Sequence, residues 1–550
     1  MNWILGVVIV LILISLYANH SNKRKRLKII DYLQLNWGKP KKREEFHFKS
    51  IEKYFKNNNH KKEAYHILSD RCAIDLDINE TFEIIDRTSS KIGQQYLYYK
   101  LRTIGTIESL LKFRDLTSVF ETNEELRLKT QLQLNKLNRT ASYYFEELVN
   151  SKPVEKPKVI RFVYMLSVLS LLCIVLSFFS PFFFIVLIII FSINLFFHLK
   201  NKWNVSGYLD GVSQLSRTLN VAKAISNYSD IKLKFSDTSF INQVEKIKSK
   251  TAYISFEKNL DNEFASVIWL VAEFIKVLFN IEYLIFYSFV DSISTKRDAL
   301  KKLFHFIGEV DCAISVASLK ASEFQICEPK FISEKQLNIN EVSHPIIENC
   351  ITNDLNLIDT SLLLTGSNMS GKTTFIRSVA INSILAQTLN ICFAKYYAAP
   401  FLKLYSSIRI TDDLLDNTSY YLKEVLIIKE LIEASNGSEP CLFVLDEIFK
   451  GTNTVERISG GKAILTNLNK GNNMVLVSTH DIELAELLVK EKYVLYHFSE
   501  QIENNELSFD HKLKKGKLKT RNAISILELY GYPVDIIEDA RRTEKETFNN

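Results

Sequence analysis

The residues best suited to chemistry lie in a glycine-rich loop. An apolar run from Leu362 to Ile381 is interrupted by Gly366, Gly371, Lys372 and Thr373 at the G-x-x-x-x-G-K-[ST] spacing. The glycines let backbone N–H groups curl around phosphate oxygens, and a following helix N-terminus adds positive potential. The lysine would reach the outer phosphates and the threonine hydroxyl would ligate Mg²⁺. A chance glycine turn is the alternative, but the flanking strand and helix patterns favour a phosphate loop, which we define as Gly366–Thr373.

Two further apolar runs end in polar side chains of complementary type. Cys441 to Leu445 leads into Asp446 and Glu447, and Met474–Ser478 leads into Thr479 and His480. We expect Asp446 to hold the water shell of Mg²⁺ and Glu447 to polarise the attacking water. A histidine at a strand end is often structural, but its position after an acidic strand and a phosphate loop favours a γ-phosphate sensor.

Length and composition indicate several units and little disulfide or zinc chemistry. The 550 residues exceed the usual range of one domain, and 47% of them are hydrophobic. The net charge of +6 is modest. Seven cysteines are scattered without C-x-x-C spacing, which argues against a disulfide framework or a zinc site and favours reduced thiols.

The N-terminal segment has the pattern of a membrane anchor. Trp3 to Ala18 is apolar and is followed by Lys23–Arg26. A cleaved signal peptide would carry its charge before the apolar core, so we expect an anchor with the N-terminus outside and the chain from Lys23 inside. The basic residues from Lys39 to Arg43 are interpreted as a topology and anionic-lipid signal, with nucleic-acid binding as the alternative.

A second apolar stretch, Phe162 to Leu199, has basic residues on both flanks. One helix of this length would measure roughly 55 Å, well beyond the hydrocarbon core of about 30 Å. Ser180-Pro181 lies near its middle and favours a break. We therefore expect two short spanning helices with both basic ends in the cytoplasm, giving three spans with the anchor. A buried soluble hairpin is the alternative.

The remaining N-terminal half is helical by its periodicity. Asp70–Asn150 and the stretch from Trp203 to about Ile332 repeat apolar residues at spacings of three and four. Within the second stretch, an apolar run beginning near Leu260 is interrupted by Glu263, Glu273, Glu282 and Asp291. Acidic residues at such intervals are costly in lipid, so we expect a buried core helix there.

The C-terminal half resembles the ATPase domain of the MutS DNA mismatch-repair family, a branch of the ABC ATPases. TGSNMSGKTTFIRSVA from Thr365 to Ala380 is similar to that family's phosphate loop, and Asn368-Met369 is its most specific portion. The other matching segments are His344-Pro345 with Asn353–Leu355, Ile408–Glu424, Asp446–Thr454, Ser478–His480 and the helical region Asn522–Arg541 with YGYP at 530–533. ISGGK at 458–462 resembles a transporter signature but follows the acidic strand, so we interpret it as a turn that opens a helix.

The resemblance implies a set of roles. Catalysis would fall to Glu447, His480 and Lys372, and Mg²⁺ would be held by Thr373 and Asp446. Ser419 would complete the phosphate site of a second subunit, which implies a homodimer. Contacts to ATP would come from Gly366, Ser367, Asn368, Met369, Ser370, Gly371, Lys372, Thr373, Thr374, Ile351 and Ser419.

Together these patterns predict a multidomain protein: an α-helical core and lever region with transmembrane helices, then an α/β ABC-type P-loop ATPase domain. The expected domains are an anchor (1–22), a basic juxtamembrane segment (23–69), the first segment of the helical core and lever region (70–160), a transmembrane hairpin (161–199), the second segment of the core and lever region (200–330) and the ATPase domain (331–550).

We expect an ATP hydrolase in the inner or plasma membrane with a cytoplasmic ATPase domain. It would act on DNA without evident mismatch readout, since residues 1–69 are too short for the family's mismatch-reading domain. The alternative is an ATP-driven switch that acts on a membrane or protein partner. An ABC transporter is the weakest interpretation, because the hairpin offers no obvious substrate path.

Overall fold

The architecture comes from a computed structural model, which describes residues 2–42, 46–58, 64–150, 156–256, 273–367, 370–409, 420–449, 453–503, 506–518 and 523–548. The chain forms two compact units. We call the first the helical unit; it comprises Met1–His60, Ile85–Tyr99 and Lys112–Ser322. We call the second the sheet unit; it comprises Lys61–Ile84, Lys100–Leu111 and Glu323–Asn550. The predicted order of a helical region followed by an α/β region is confirmed.

The N-terminal region of the chain is built mainly of helices. Its elements are α1 (Asn2–Leu35), α2 (Phe48–Ile51), α3 (Lys53–Asn57), β1 (His66–Ile67), α4 (Asp70–Asp75), α5 (Ile78–Ile85), α6 (Lys91–Arg102), β2 (Thr103–Ile104), α7 (Ile107–Thr122), α8 (Glu124–Leu134), α9 (Phe145–Asn150), α10 (Ile160–Ser177), α11 (Phe182–Ser226), α12 (Ser229–Lys234), α13 (Ser239–Phe256), α14 (Ile281–Thr295) and α15 (Arg297–Lys320). Short 3₁₀ helices lie at Asn135–Leu137 and Thr140–Tyr144.

The C-terminal region alternates strands and helices. Its elements are β3 (Lys330–Phe331), β4 (Gln336–Val342), β5 (Asn353–Ile358), β6 (Ser361–Thr365), α16 (Lys372–Leu389), β7 (Tyr396–Ala399), β8 (Lys403–Ser407), α17 (Tyr420–Ser435), β9 (Cys441–Asp446), α18 (Thr454–Leu468), β10 (Met474–Ser478), α19 (Ile482–Val489), β11 (Tyr493–His497), β12 (Glu500–Glu503), β13 (Glu506–Phe509), β14 (Lys514–Lys515), α20 (Ala523–Leu529) and α21 (Val534–Phe548).

The main sheet of the sheet unit has the strand order β14-β11-β6-β10-β9-β8 in the described residues. All neighbouring pairs are parallel except β11 with β14. Strands β6 and β10 are buried throughout, as expected for parallel strands covered on both faces. A smaller sheet, with the order β3-β7-β4-β5, and the β12-β13 hairpin complete the unit.

The helical unit contains a close contact between α6 and α15. A Cβ at Gly308 would lie 2.3 Å from the Tyr96 Cγ atom, and a Cβ at Gly93 would lie 2.1 Å from an Asp311 carboxylate oxygen. Glycine at both positions therefore permits this approach. The buried Asp311 carboxylate accepts hydrogen bonds from the Ser89 and Ser90 backbone N–H groups at 2.7 and 2.8 Å, at the start of α6.

The apolar hairpin has the predicted turn. Helices α10 and α11 flank residues 178–181, and α11 continues far beyond the apolar stretch. Among the described residues, Ile160–Ser177 and Phe182–Lys200 are long and apolar enough to cross a membrane by length and composition alone. Two such helices are therefore found rather than the three spans expected. The expected anchor falls on α1, where most of its side chains lie outside the described residues.

Two other expectations about helices were wrong. ISGGK does not open a helix, because its residues lie inside α18, which begins after the capping residue Asn453. The apolar run expected as one core helix is broken: residues 273–278 are helical, and α14 starts at Ile281 after the left-handed residue Asn280. Glu263 and the rest of residues 257–272 lie outside the described residues.

Candidate nucleotide-binding site

The phosphate loop follows the carboxyl end of β6, which lies between β10 and β11. Gly366 has a φ of 145° and Gly371 a φ of 105°, conformations that favour glycine. Helix α16 begins directly after Gly371, so its free N–H groups face the loop. The N-terminus of α16 thus places backbone N–H groups beside the phosphate loop at the edge of the sheet.

Lys372 is almost fully buried at the start of α16. Its Nζ atom donates to the Gly366 and Ser367 carbonyl oxygens, both at 2.7 Å, and lies 3.4 Å from the His480 Nε2 atom. The ammonium is therefore held over the loop, where it can meet the oxygens of a bound phosphate.

Asp446 lies at the end of β9, directly opposite Ser478 of β10 in the parallel register. Its Oδ2 atom accepts a hydrogen bond from the Thr373 hydroxyl at 2.8 Å, and its Oδ1 atom accepts one from the Ser478 hydroxyl. The register of β9 and β10 therefore orients this carboxylate toward the phosphate loop. Thr373 and Asp446 together present hard oxygen ligands of the kind that Mg²⁺ prefers.

Glu447 and His480 form a pair beside these groups. The Glu447 Oε1 atom lies 2.7 Å from the His480 Nε2 atom. Since Nε2 cannot both donate to Glu447 and accept from Lys372, the shorter contact indicates a proton on Nε2 that is donated to Glu447. Glu447 has a left-handed φ of 57°, and its N–H donates to the Ser478 carbonyl at 2.9 Å. The backbone turn therefore aims its side chain away from β9 and toward His480.

The other predicted contact residues are placed less closely. Thr374 is half-buried on α16, and Ser370 is buried in the phosphate loop. Ile351 is exposed in the segment before β5, where its carbonyl accepts from the Asn353 side chain. Asn368, Met369 and Ser419 lie outside the described residues.

His511 is a candidate that the sequence did not reveal. Its Nδ1 atom donates to the Ser370 carbonyl at 3.1 Å, and a Cβ at Gly371 would lie 3.2 Å from the same nitrogen. The His511 ring also stacks on Phe509 at 5.9 Å between centroids. A lone histidine so far along the chain carries no motif, so only the fold shows that it borders the phosphate loop.

Glu424 positions the segment that follows Glu447. It is buried on α17 and accepts a hydrogen bond from the Phe449 backbone N–H at 2.5 Å. Phe449 has a left-handed φ of 59°. In the sequence, Glu424 is the last residue of the segment that resembles the MutS signature. In the structure it contacts the chain just after the acidic pair Asp446-Glu447.

The segment Lys61–Ile84, from the N-terminal half of the sequence, also belongs to the sheet unit. The fully buried Asp75 carboxylate accepts from the Ser406 hydroxyl at 2.6 Å, from the Ile408 N–H at 3.1 Å and from the Arg409 N–H at 2.8 Å. Asp77 pairs with Arg409 at 2.7 Å and with Arg377 of α16 at 3.2 Å. One short acidic segment thus holds both the end of β8 and the helix of the phosphate loop.

Burial shapes the ionisation around this segment. Burial and the neighbouring Arg409 guanidinium lower the pKa of Arg377, although three carboxylates oppose the shift. Burial also lowers the pKa of His344 to about 4, against the effect of Asp77. His344 is therefore neutral at neutral pH, and its Nδ1 atom accepts from the Ile346 N–H at 3.3 Å. The hydrogen bond to the Ile346 N–H gives this histidine a structural contact.

A buried parallel strand, a glycine loop at its carboxyl end and a helix that starts at lysine define the class of α/β domains with a phosphate-binding loop. Comparison with known proteins narrows the class, since residues 362–547 match the family model of MutS domain V.

The C-terminal half is similar to DNA mismatch repair protein MutS from several bacteria. The identity is 32% over 272 residues with the Macrococcus caseolyticus protein, covering 48% of this chain and 32% of that protein. For Aquifex pyrophilus it is 30% over 276 residues, covering 48% and 32%, and for Carboxydothermus hydrogenoformans 30% over 308 residues, covering 53% and 36%. These matches support the MutS family for this half, and the chain covers about a third of the length of these relatives.

Proposed function

We propose that this protein is a membrane-anchored MutS-like ATPase that binds and hydrolyses ATP. The observation that carries the proposal is the convergence of two pairs at the edge of one parallel sheet: Thr373 with Asp446, and Glu447 with His480. The first pair suits a metal–phosphate complex and the second suits activation of water. Similarity to MutS domain V supports the same activity.

The donor set fits Mg²⁺ bound with ATP. Thr373 and Asp446 would hold the ion, with phosphates and water completing its shell, and the ion would neutralise charge on the phosphates. Lys372 would contact the outer phosphate oxygens. Glu447 would orient and polarise the attacking water, and His480 would hold the Glu447 carboxylate by its 2.7 Å contact.

Two substitutions test this activity. Lys372→Ala removes the ammonium that contacts ground-state phosphates, so ATP binding should be lost. Glu447→Gln keeps the shape but not the base, so ATP should bind while turnover stops. Lys492→Ala, a matched change of an exposed lysine in the same unit, should leave both unchanged. Hydrolysis by Glu447→Gln at the wild-type rate would show that Glu447 is not the activating group.

The active form in this proposal is a homodimer, in which Ser419 of one subunit completes the phosphate site of the other. The support is the resemblance of the segment ending in Glu424 to the MutS signature. Ser419→Arg should block closure only on the opposite subunit. A mixture of Ser419→Arg and Lys372→Ala chains should therefore regain activity through its one intact composite site. No recovery, with wild-type sites shown to work independently, would exclude the shared site.

The membrane location rests on the two candidate spans α10 and Phe182–Lys200, together with the basic residues that flank them. The sheet unit would then lie on the cytoplasmic side of an inner or plasma membrane. Labelling of intact cells with an impermeant thiol reagent tests this topology. A cysteine at Ser180 should react from outside, and one at the exposed Lys232 should not. The reverse pattern would exclude a cytoplasmic ATPase.

DNA is the proposed substrate, because the relatives are named as DNA mismatch repair proteins. Binding through backbone charge would make affinity fall steeply with salt and would give similar affinities for paired and G·T duplexes. Gel shifts of both duplexes and a four-way junction at two salt concentrations test this. A strong G·T preference would refute binding without mismatch readout. No binding at low salt would favour the second candidate function, a switch that acts on a protein partner in the membrane. The exposed apolar surface of the hairpin supports this second candidate.

A further inference from the structure

The hairpin of α10 and α11 has an apolar outer surface and an inner face on which a few buried polar side chains lie among apolar ones. Less than a quarter of either candidate span is buried, and Val168, Phe184 and Ile188 are each more than half exposed. By contrast, Ser170 and Asn194 are fully buried. Polar side chains inside a membrane helix pair normally face protein rather than lipid. Ser170 finds its partners within the hairpin, in the Leu166 carbonyl and the Asn194 side chain. The other hydrogen-bonding atoms of Asn194 need an element that lies against the inner face.

Residues 273–280 supply that element. The Asn194 Nδ2 atom donates to the Leu278 carbonyl at 2.8 Å, and the Asn194 Oδ1 atom accepts from the Asn280 side chain at 2.6 Å. The Ser167 hydroxyl donates to the Phe279 carbonyl at 2.7 Å. Two polar side chains of the hairpin, Asn194 and Ser167, thus hydrogen-bond to one short segment.

The contacts fall at a helix break. Asn280 is left-handed, with a φ of 49°, and separates helical residues 273–278 from α14. A break exposes backbone carbonyls, and hydrocarbon offers them no partner. Asn194 and Ser167 donate to the two carbonyls at this break. Broken backbone at membrane depth is tolerated only where protein satisfies it, and the hairpin does so here.

The outer side of the same segment continues the apolar surface of the hairpin. The Phe274 ring stacks on the Phe191 ring of α11 at 4.9 Å between centroids. Phe274 is 53% exposed and Ile275 is 44% exposed. These two side chains therefore continue the exposed apolar surface of the hairpin.

Charged groups mark the depth of the segment. Glu273 lies 3.3 Å from the His198 Nε2 atom and 3.0 Å from the Lys276 Nζ atom, close to the basic end of the span. Asn194 precedes Lys200 by about 9 Å along the helix axis, within a hydrocarbon core of about 30 Å. Helix α14 then leads to Asp291, which pairs with Lys156 at 3.1 Å beyond the start of α10.

We propose that residues 273–280 form a re-entrant element that enters the lipid hydrocarbon beside the hairpin, turns at Asn280 and returns through α14. The partner of its outer surface is the acyl region of the bilayer. This inference rests on the proposed membrane location of the hairpin, and it adds a third membrane-embedded element where the sequence indicated a soluble core helix.

Photocrosslinking of the full-length protein in vesicles of phosphatidylcholine and phosphatidylglycerol tests the element. The photoreactive residue p-benzoylphenylalanine replaces Phe274, Phe184 of the hairpin, or the exposed Tyr530 of the sheet unit, one at a time. We expect lipid adducts by mass spectrometry from positions 274 and 184 in similar yield, at least tenfold above position 530.

The outcomes separate the two proposals. An adduct at position 184 with none at 274 would overturn the re-entrant element and leave the membrane hairpin in place. No adduct at either position would overturn the membrane location itself. Asn194→Leu should reduce the adduct at 274 several-fold but not at 184, because it removes both Asn194 contacts to the break and leaves only the Ser167 contact. Ser192→Leu, on the exposed side of the same helix, is the matched control and should change neither yield.

Discussion

Replacing Asp75 with alanine should loosen the end of β8 without unfolding the helical unit. The carboxylate is fully buried and accepts three hydrogen bonds, from the Ser406 hydroxyl and from the backbone N–H groups of Ile408 and Arg409. Each buried donor left without a partner costs about 1–3 kcal/mol. For three donors the expected loss is about 3–9 kcal/mol, a large share of the stability of a typical domain.

The assay must distinguish the two units. All four tryptophans, at positions 3, 37, 203 and 269, lie in the ranges of the helical unit, so tryptophan fluorescence reports on that unit. Hydrogen exchange measured on peptides covering residues 403–409 reports on the site of the change. A loss of about 3 kcal/mol should speed exchange there by about a hundredfold, since about 1.4 kcal/mol corresponds to a factor of ten.

Two variants bracket the effect. Asp75→Asn keeps one acceptor oxygen but turns a donor toward the Ile408 N–H, so exchange should accelerate to an intermediate degree. Asp70→Asn changes the exposed carboxylate at the start of the same helix and should have little effect. Unchanged protection of residues 403–409 in Asp75→Ala would refute the argument, as would equal effects of Asp75→Ala and Asp70→Asn.

Three further predictions concern packing, pH and catalysis. Gly308→Ala should lower the urea midpoint of unfolding measured by tryptophan fluorescence, since the new Cβ would lie 2.3 Å from Tyr96. Overpacking costs about 1–3 kcal/mol, which exceeds the gain in helix propensity of about 1 kcal/mol. An unchanged midpoint would contradict this. Burial raises the pKa of Asp311 to about 6. The protonated carboxyl therefore contributes to the free energy of unfolding in full below pH ~4, and about 3 kcal/mol of it is lost as the pH rises to ~6. Asp311→Asn should abolish that portion of the pH dependence of the urea midpoint, and an identical profile would count against it. His480→Gln should lower kcat about tenfold and leave KM for ATP within about twofold, because the histidine orients Glu447 rather than binding ground-state phosphate; a rise in KM alone would indicate a binding role.

The elements of the fold that follow from short stretches of sequence could be predicted. Strand β6, the phosphate loop and α16 are continuous in the chain, and β9 and β10 are apolar runs with polar ends, so local pattern was sufficient. The turn at Pro181 was predicted for the same reason. The prediction that ISGGK opens a helix was wrong, because α18 begins earlier, after the capping residue Asn453. Gly460 lies inside this helix, where a Cβ would approach the Phe449 ring at 3.0 Å.

Contacts between distant segments could not be predicted from one sequence. Asp75 and Ser406 are 331 positions apart, and His511 lies 141 positions from Ser370. Neither residue belongs to a pattern with a characteristic spacing. The break at Asn280 was missed for another reason, because the apolar residues continue on both sides and only the partners on α10 and α11 reveal why the helix ends there.

The length of α11 has a mechanical consequence. Its candidate span ends at Lys200, but the helix continues to Ser226, about 39 Å further at 1.5 Å per residue. Leu215, Leu219 and Ala222 on this extension are fully buried in the helical unit. A spanning helix adjusts its tilt to the thickness of the bilayer, and a change of about 10° would displace the far end by about 7 Å. With the hairpin in a membrane, a change in the length of the lipid acyl chains would therefore change the tilt of α11 and exert a force on the helical unit.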